Sequence, residues 1–128
     1  MLRNKSLTYL PALLITIAIA VASLWENPQL PKAVAQRDLL VHGILYVLLA
    51  ASWAVPICRT FPARALPYIY VCAGAIAYGG LMEILQRCCT LTRTASMADL
   101  YADIVGAVIG VVIIGLFEVS IYRYPDKK

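Results

Sequence analysis

The chain reads as an all-α, four-helix transmembrane bundle with both termini cytoplasmic, a single domain over residues 1–128. Three observations lead there. Hydrophobic residues make up 62% of the chain and charged residues 14%, well below the roughly 25% charge of a soluble domain. No Asp, Glu, Lys or Arg occurs from Ser6 to Trp25, Leu39 to Cys58, Ala65 to Met82 or Ile104 to Phe117. Those gaps run 20, 20, 18 and 14 residues, and a spanning helix needs about 20.

The gaps place helices at about 6–25, 39–57, 66–86 and 98–120. The first three are long enough as they stand. The fourth reaches spanning length only by starting near Ala98, which carries Asp99 and Asp103 into the membrane edge. Short connections make sequential helices antiparallel neighbours. Neither an internal repeat nor a low-complexity tract interrupts the pattern. In the first segment, Arg3 and Lys5 before an apolar run, with Ala33-Val34-Ala35 beyond it, also look like a signal peptide with its cleavage site. The run exceeds a usual signal core and Ala33 lies well past its end, so a retained helix is expected. Pro11 sits near that helix start, where proline is tolerated and can kink the chain.

Charge sets the orientation. Seven basic residues (Arg3, Lys5, Arg59, Arg64, Arg123, Lys127, Lys128) fall on the side of the termini. Four (Lys32, Arg37, Arg87, Arg93) fall on the other. The excess predicts cytoplasmic termini. It also accounts for the net charge of +4, together with anionic lipid headgroups, so no nucleic-acid partner is expected.

The stretch from Glu83 to Gly110 concentrates the chemistry. At 100° per residue, Asp99, Asp103, Gly106 and Gly110 fall within about 60° of one another on a helix. Gly79, Glu83 and Gln86 align in the same way on the helix before. With Asp38 and His42 at the start of the second helix and Arg93 in the third loop, seven polar groups gather at the outer leaflet. Ionisable groups at that depth are costly, so they need partners or a function.

These residues resemble the VanZ-like family of small bacterial membrane proteins. The likeness rests on Asp38, His42 and Tyr46 in RDLLVHGILY, then Glu83, Gln86, Arg93, Asp99, Asp103, Gly106 and Gly110. It covers about residues 37–115, and the first helix matches only in character. Two positions depart from the family pattern: Leu39 where Lys is frequent, and Asp103 where Asn is frequent. The resemblance implies a multi-pass protein of the bacterial cytoplasmic membrane. The namesake of the family is associated with resistance to teicoplanin, a glycopeptide that carries an acyl chain.

The expected function is therefore binding at the outer leaflet. The partner would be a membrane lipid, a lipid-linked cell-wall precursor headgroup or a lipoglycopeptide. Arg93 would grip a phosphate or carboxylate with paired N–H donors. Glu83, Gln86, Asp99, Asp103, His42 and Asp38 would surround it. Each residue also has a plainer reading. Asp38 could cap its helix, His42 could bond a neighbouring helix, and Tyr46 could pack or donate one hydrogen bond. Glu83, Asp99, Asp103 and Arg93 could form a salt-bridged latch between the third and fourth helices. Gly106 and Gly110, like Ala75 and Gly79, form small-residue steps for close helix approach.

An enzyme acting on a lipid-linked substrate through His42 or Glu83, and a small subunit of a larger membrane complex or homo-oligomer, stay open beside the binding reading. The sequence leans away from an enzyme, because it carries no nucleophile elbow and no phosphate loop. With no His pair at ligand spacing, it predicts no metal, and it predicts no cofactor. Cys58 and Cys72 belong to the inner half and Cys88 and Cys89 to the outer end, too far apart for disulfides between the two sets. Trp53, Tyr68, Tyr122 and Tyr124 read as the inner aromatic belt and Trp25 as part of the outer one.

Overall fold

The computed structural model describes residues 5–25, 35–61, 65–91 and 96–123. It is an up-down-up-down bundle of four helices: α1 (Leu10–Leu24), α2 (Ala35–Thr60), α3 (Ala65–Cys89) and α4 (Met97–Arg123). Each of α2, α3 and α4 provides a stretch long and apolar enough to cross a membrane, and α1 does so together with the turn before it, over Ser6–Leu24. There is no strand among the described residues. The possible cleavage site around Ala33 and Val34, the loop residue Arg93 and the belt residue Tyr124 lie outside the described residues, as do the side chains of Asp38 and Tyr122.

Helix boundaries follow backbone chemistry rather than the limits of the charge-free gaps. Lys5–Thr8 form a 3-10 turn, and the α-helix begins at Leu10 with Pro11 in its first two positions. Proline lacks an N–H and disfavours α geometry in the residue before it, so it suits a helix start better than a helix interior. α2 begins four residues ahead of the apolar stretch and continues past Pro56 to Thr60. Its 26 residues extend about 39 Å at 1.5 Å per residue, beyond the roughly 30 Å hydrocarbon core. Asp38 thus lies inside α2 and does not cap it. The end of α3 is closed by Thr90, whose hydroxyl donates to the Gln86 carbonyl at 2.6 Å.

The surface is apolar and the interior holds the polar groups. Leu14, Ile17, Leu40, Ile44, Ile84, Val105, Leu116 and Phe117 all face outward. His42, Glu83, Gln86 and Asp103 are buried. In water this arrangement would leave a large apolar surface exposed; in lipid it is the favourable one.

The most extensive contact is between α2 and α4, which run parallel and are not sequential. Glycines make it. A Cβ on Gly106 would collide with the Gly43 carbonyl of α2, and one on Gly110 would reach the Val47 carbonyl and, at 3.1 Å, Ala50. Gly79 of α3 leaves room for Asp103, whose Oδ2 would stand 3.0 Å from a Cβ there, and for the Tyr46 ring at 3.3 Å. Tyr46, Leu49, Ala50, Ala54 and Ala107 form the core behind this seam.

The belt residues divide. Trp25 is exposed at the end of α1. Trp53 instead stands between helices, its indole N–H donating to the Thr16 hydroxyl at 3.1 Å and its ring against Tyr9. Tyr68 donates to the Glu118 carboxylate, joining α3 to α4 at the end opposite the polar cluster.

Replacing Gly106 by Ala should lower unfolding stability in detergent by about 1–3 kcal/mol through overpacking. Gly74→Ala, where an added methyl meets nothing within 4 Å, should be neutral or slightly stabilising, since Ala is the better helix former by about 1 kcal/mol. Parallel thermal unfolding of the two variants checks the assignment of the seam.

Candidate functional site

The polar residues collect where α1 and α3 end and α2 and α4 begin. His42, on the second turn of α2, reaches α4, where its Nδ1 stands 3.0 Å from Asp103 Oδ1. The pair is buried, Asp103 to 1% exposure. Asp103 is carried two turns into α4, beside the glycine step that draws α2 and α4 together. Asp99, one turn earlier on the same face, is half-buried.

Glu83 projects from α3 into the same region. Its Oε2 accepts the backbone N–H of Ser96 at 2.8 Å, immediately ahead of the first turn of α4. Ser96 in turn offers its carbonyl to the Leu100 N–H at 3.2 Å. The carboxylate therefore fixes how the chain enters α4, and its negative charge lies near the positive end of that helix dipole. Gln86, one turn further along α3, donates from Nε2 to the Ser23 carbonyl at 3.0 Å. That bond ties α3 to the end of α1, a helix that the sequence pattern left out of the polar cluster.

One imidazole and two carboxylates thus converge from three helices. One donor atom each of His42, Glu83 and Asp103 lies within 4.8 Å of the others. Among the described residues no Lys or Arg pairs with Glu83 or Asp103. Tyr46, one turn below His42, is buried to 1% exposure, and its hydroxyl has no hydrogen-bond partner among the described residues. Its ring is near Tyr78, with centroids 6.4 Å apart. The hydroxyl of Tyr78 itself is used on the Thr16 carbonyl at 2.7 Å.

A cavity of about 160 Å³ opens between α1 and α2 at this end. Ser23, His42 and Tyr46 contribute its polar groups, and Ile19, Ala22, Val41 and Leu45 its apolar wall. On the other flank of α2 an apolar groove of about 660 Å³ runs along α4, past Leu40, Ile44, Tyr101 and Val105.

Of the residues singled out from sequence, His42 and Asp103 meet directly, Glu83 brings a carboxylate oxygen within 4.8 Å of them, and Gln86 lies one turn further along α3. Asp99 stands at the rim. Arg93 and the side chain of Asp38 lie outside the described residues. Ser23, Thr16 and Ser96 went unrecognised. Ser23 and Ser96 take part through backbone groups, and a backbone group has no sequence signature. The four cysteines are unpaired; Cys58 is buried, and Cys88 and Cys89 are exposed.

No family model, curated protein or solved structure matches this chain. The fold and site define a multi-pass, four-helix membrane protein with a buried polar cluster at one end of the bundle.

Glu83→Ala should destabilise the bundle by about 1 kcal/mol, the low end of the cost of leaving an N–H unsatisfied, because the Ser96 N–H is only partly buried, and speed proteolysis between α3 and α4. Glu83→Gln keeps an acceptor oxygen and should retain most of that protection. Equal protease resistance in all three proteins would refute the role of Glu83 in holding Ser96.

Proposed function

We propose that this chain is a VanZ-like binding protein of the bacterial cytoplasmic membrane. It holds the polar end of an envelope lipid, a lipid-linked cell-wall precursor or a lipoglycopeptide at one leaflet. The supporting observation is the slot between α1 and α2, polar at Ser23, His42 and Tyr46 and apolar elsewhere. At about 160 Å³ it has room for roughly five waters at ~30 Å³ each. A phosphate- or amine-sized group fits such a space; the body of a glycopeptide does not, and would be held through one terminal group. The apolar groove along α2 and α4 suits an acyl chain. The Lys and Arg count puts this end of the bundle at the outer leaflet. Arg93, between α3 and α4 in the sequence, supplies the cation for an anionic head. A contribution to teicoplanin resistance is the finer form of this reading.

One observation favours a structural subunit instead. Glu83 and Gln86 are both engaged by backbone groups, Ser96 N–H and the Ser23 carbonyl, which is the behaviour of a latch.

Native mass spectrometry from mild detergent separates the two readings. A binding protein should carry a defined adduct that both Ala22→Phe, which fills the slot, and Arg93→Ala lose while thermal stability stays near wild type. A wild-type protein without an adduct, copurifying with a stoichiometric partner, would replace binding by the subunit role.

A further inference from the structure

We propose that His42, Glu83 and Asp103 form a binding site for one divalent first-row transition-metal ion, with the Tyr46 hydroxyl as a nearby fourth oxygen donor. The proposal stands whether or not the neighbouring slot holds a headgroup.

Geometry is the first support. Donor atoms held about 2.1 Å from a common ion lie about 3.0–3.4 Å apart at octahedral or tetrahedral angles. His42 Nδ1 and Asp103 Oδ1 are already 3.0 Å apart. All three donors lie within 4.8 Å of one another, so a small side-chain adjustment closes them on one centre. They come from three different helices, and a single ion would therefore bind α2, α3 and α4 together.

Tyr46 is an independent sign. A phenol hydroxyl sealed inside a membrane bundle normally has a hydrogen-bond partner; this one has none among the described residues. Its ring lies beside the Asp103 carboxylate, both against Gly79.

Charge is the third support. Two carboxylates without a Lys or Arg partner among the described residues are costly in a low-dielectric interior. A dication with a neutral imidazole brings the cluster to zero net charge. An imidazole beside carboxylates suits zinc or manganese better than calcium or magnesium, which prefer oxygen alone. The alternative that balances equally well is protons: an imidazolium paired with Asp103 and a neutral Glu83. The experiment distinguishes these.

The protein is purified without a histidine tag in a Cys88→Ser, Cys89→Ser background, because adjacent exposed thiols would compete for metal. It is stripped with chelator and titrated separately with Zn²⁺, Mn²⁺ and Co²⁺, with bound metal counted by mass spectrometry and cobalt followed by its visible absorption. Saturation near one ion per chain is expected. His42→Ala and Asp103→Asn should each weaken binding more than about 100-fold, since even outer-shell substitutions cost 10- to 100-fold. Tyr46→Phe should keep the fold and alter the cobalt spectrum. No saturable binding by the parent protein would overturn the proposal and favour protons. So would equal binding in folded His42→Ala and Asp103→Asn proteins. If those two do not fold, the parent titration and the Tyr46→Phe spectrum decide: one saturable ion with a changed spectrum supports the site, and an unchanged spectrum or no ion refutes it.

Discussion

A polar group enclosed in a membrane bundle has no water to turn to, and the His42–Asp103 contact is where this protein meets that constraint most directly. Asp103 is almost wholly enclosed. Deprived of its imidazole partner it would be an uncompensated buried charge, a loss usually of about 3–5 kcal/mol. The contact also joins α2 to α4, helices separated in the chain by the whole of α3. Much of the remaining architecture serves to make that meeting possible.

The glycine seam is the steric half of the same arrangement. Gly106 and Gly110 bring the α4 backbone against the carbonyls of Gly43 and Val47, and only at that separation does the short aspartate side chain reach the imidazole. Gly79 does the equivalent for α3, leaving room for the carboxylate and for the Tyr46 ring. Helices in lipid gain no hydrophobic energy from meeting one another, so close packing and interhelical hydrogen bonds must hold them. Here the two are interleaved: the glycines admit the polar contact, and the polar contact fixes the register of the glycines.

Apart from bonds along single helices, such as Thr90 to the Gln86 carbonyl, the remaining polar bonds tie one helix to another. Gln86 to Ser23 and Tyr78 to Thr16 hold α3 to α1. Trp53 to Thr16 holds α2 to α1. Tyr68 to Glu118 holds α3 to α4 at the opposite end. α1 contributes little buried area, its enclosed residues being Ala12, Ile19 and Ser23, so these ties matter more for it than for the central pair. The slot beside His42 lies along this lightly packed boundary.

The sequence by itself determined the class of fold and the end of the bundle where polar groups collect. Both follow from one-dimensional quantities: gaps free of charge long enough to span a bilayer, and helical periodicity that sets Asp99, Asp103 and the glycines on one face. Gly79, Glu83 and Gln86 were aligned by the same arithmetic. Only the tertiary structure decided who meets whom. His42 and Asp103 are 61 residues apart, and no spacing rule joins an imidazole on one helix to a carboxylate two helices later. Glu83 binding Ser96 N–H and Gln86 binding the Ser23 carbonyl were equally invisible, because every residue but proline has those backbone groups. Tyr46 and Trp53 show the same limit from the other side. The sequence marks Tyr46 as a residue that packs or donates one hydrogen bond and Trp53 as part of the inner belt; packing encloses the first, its hydroxyl without a partner among the described residues, and makes the second a tie to α1.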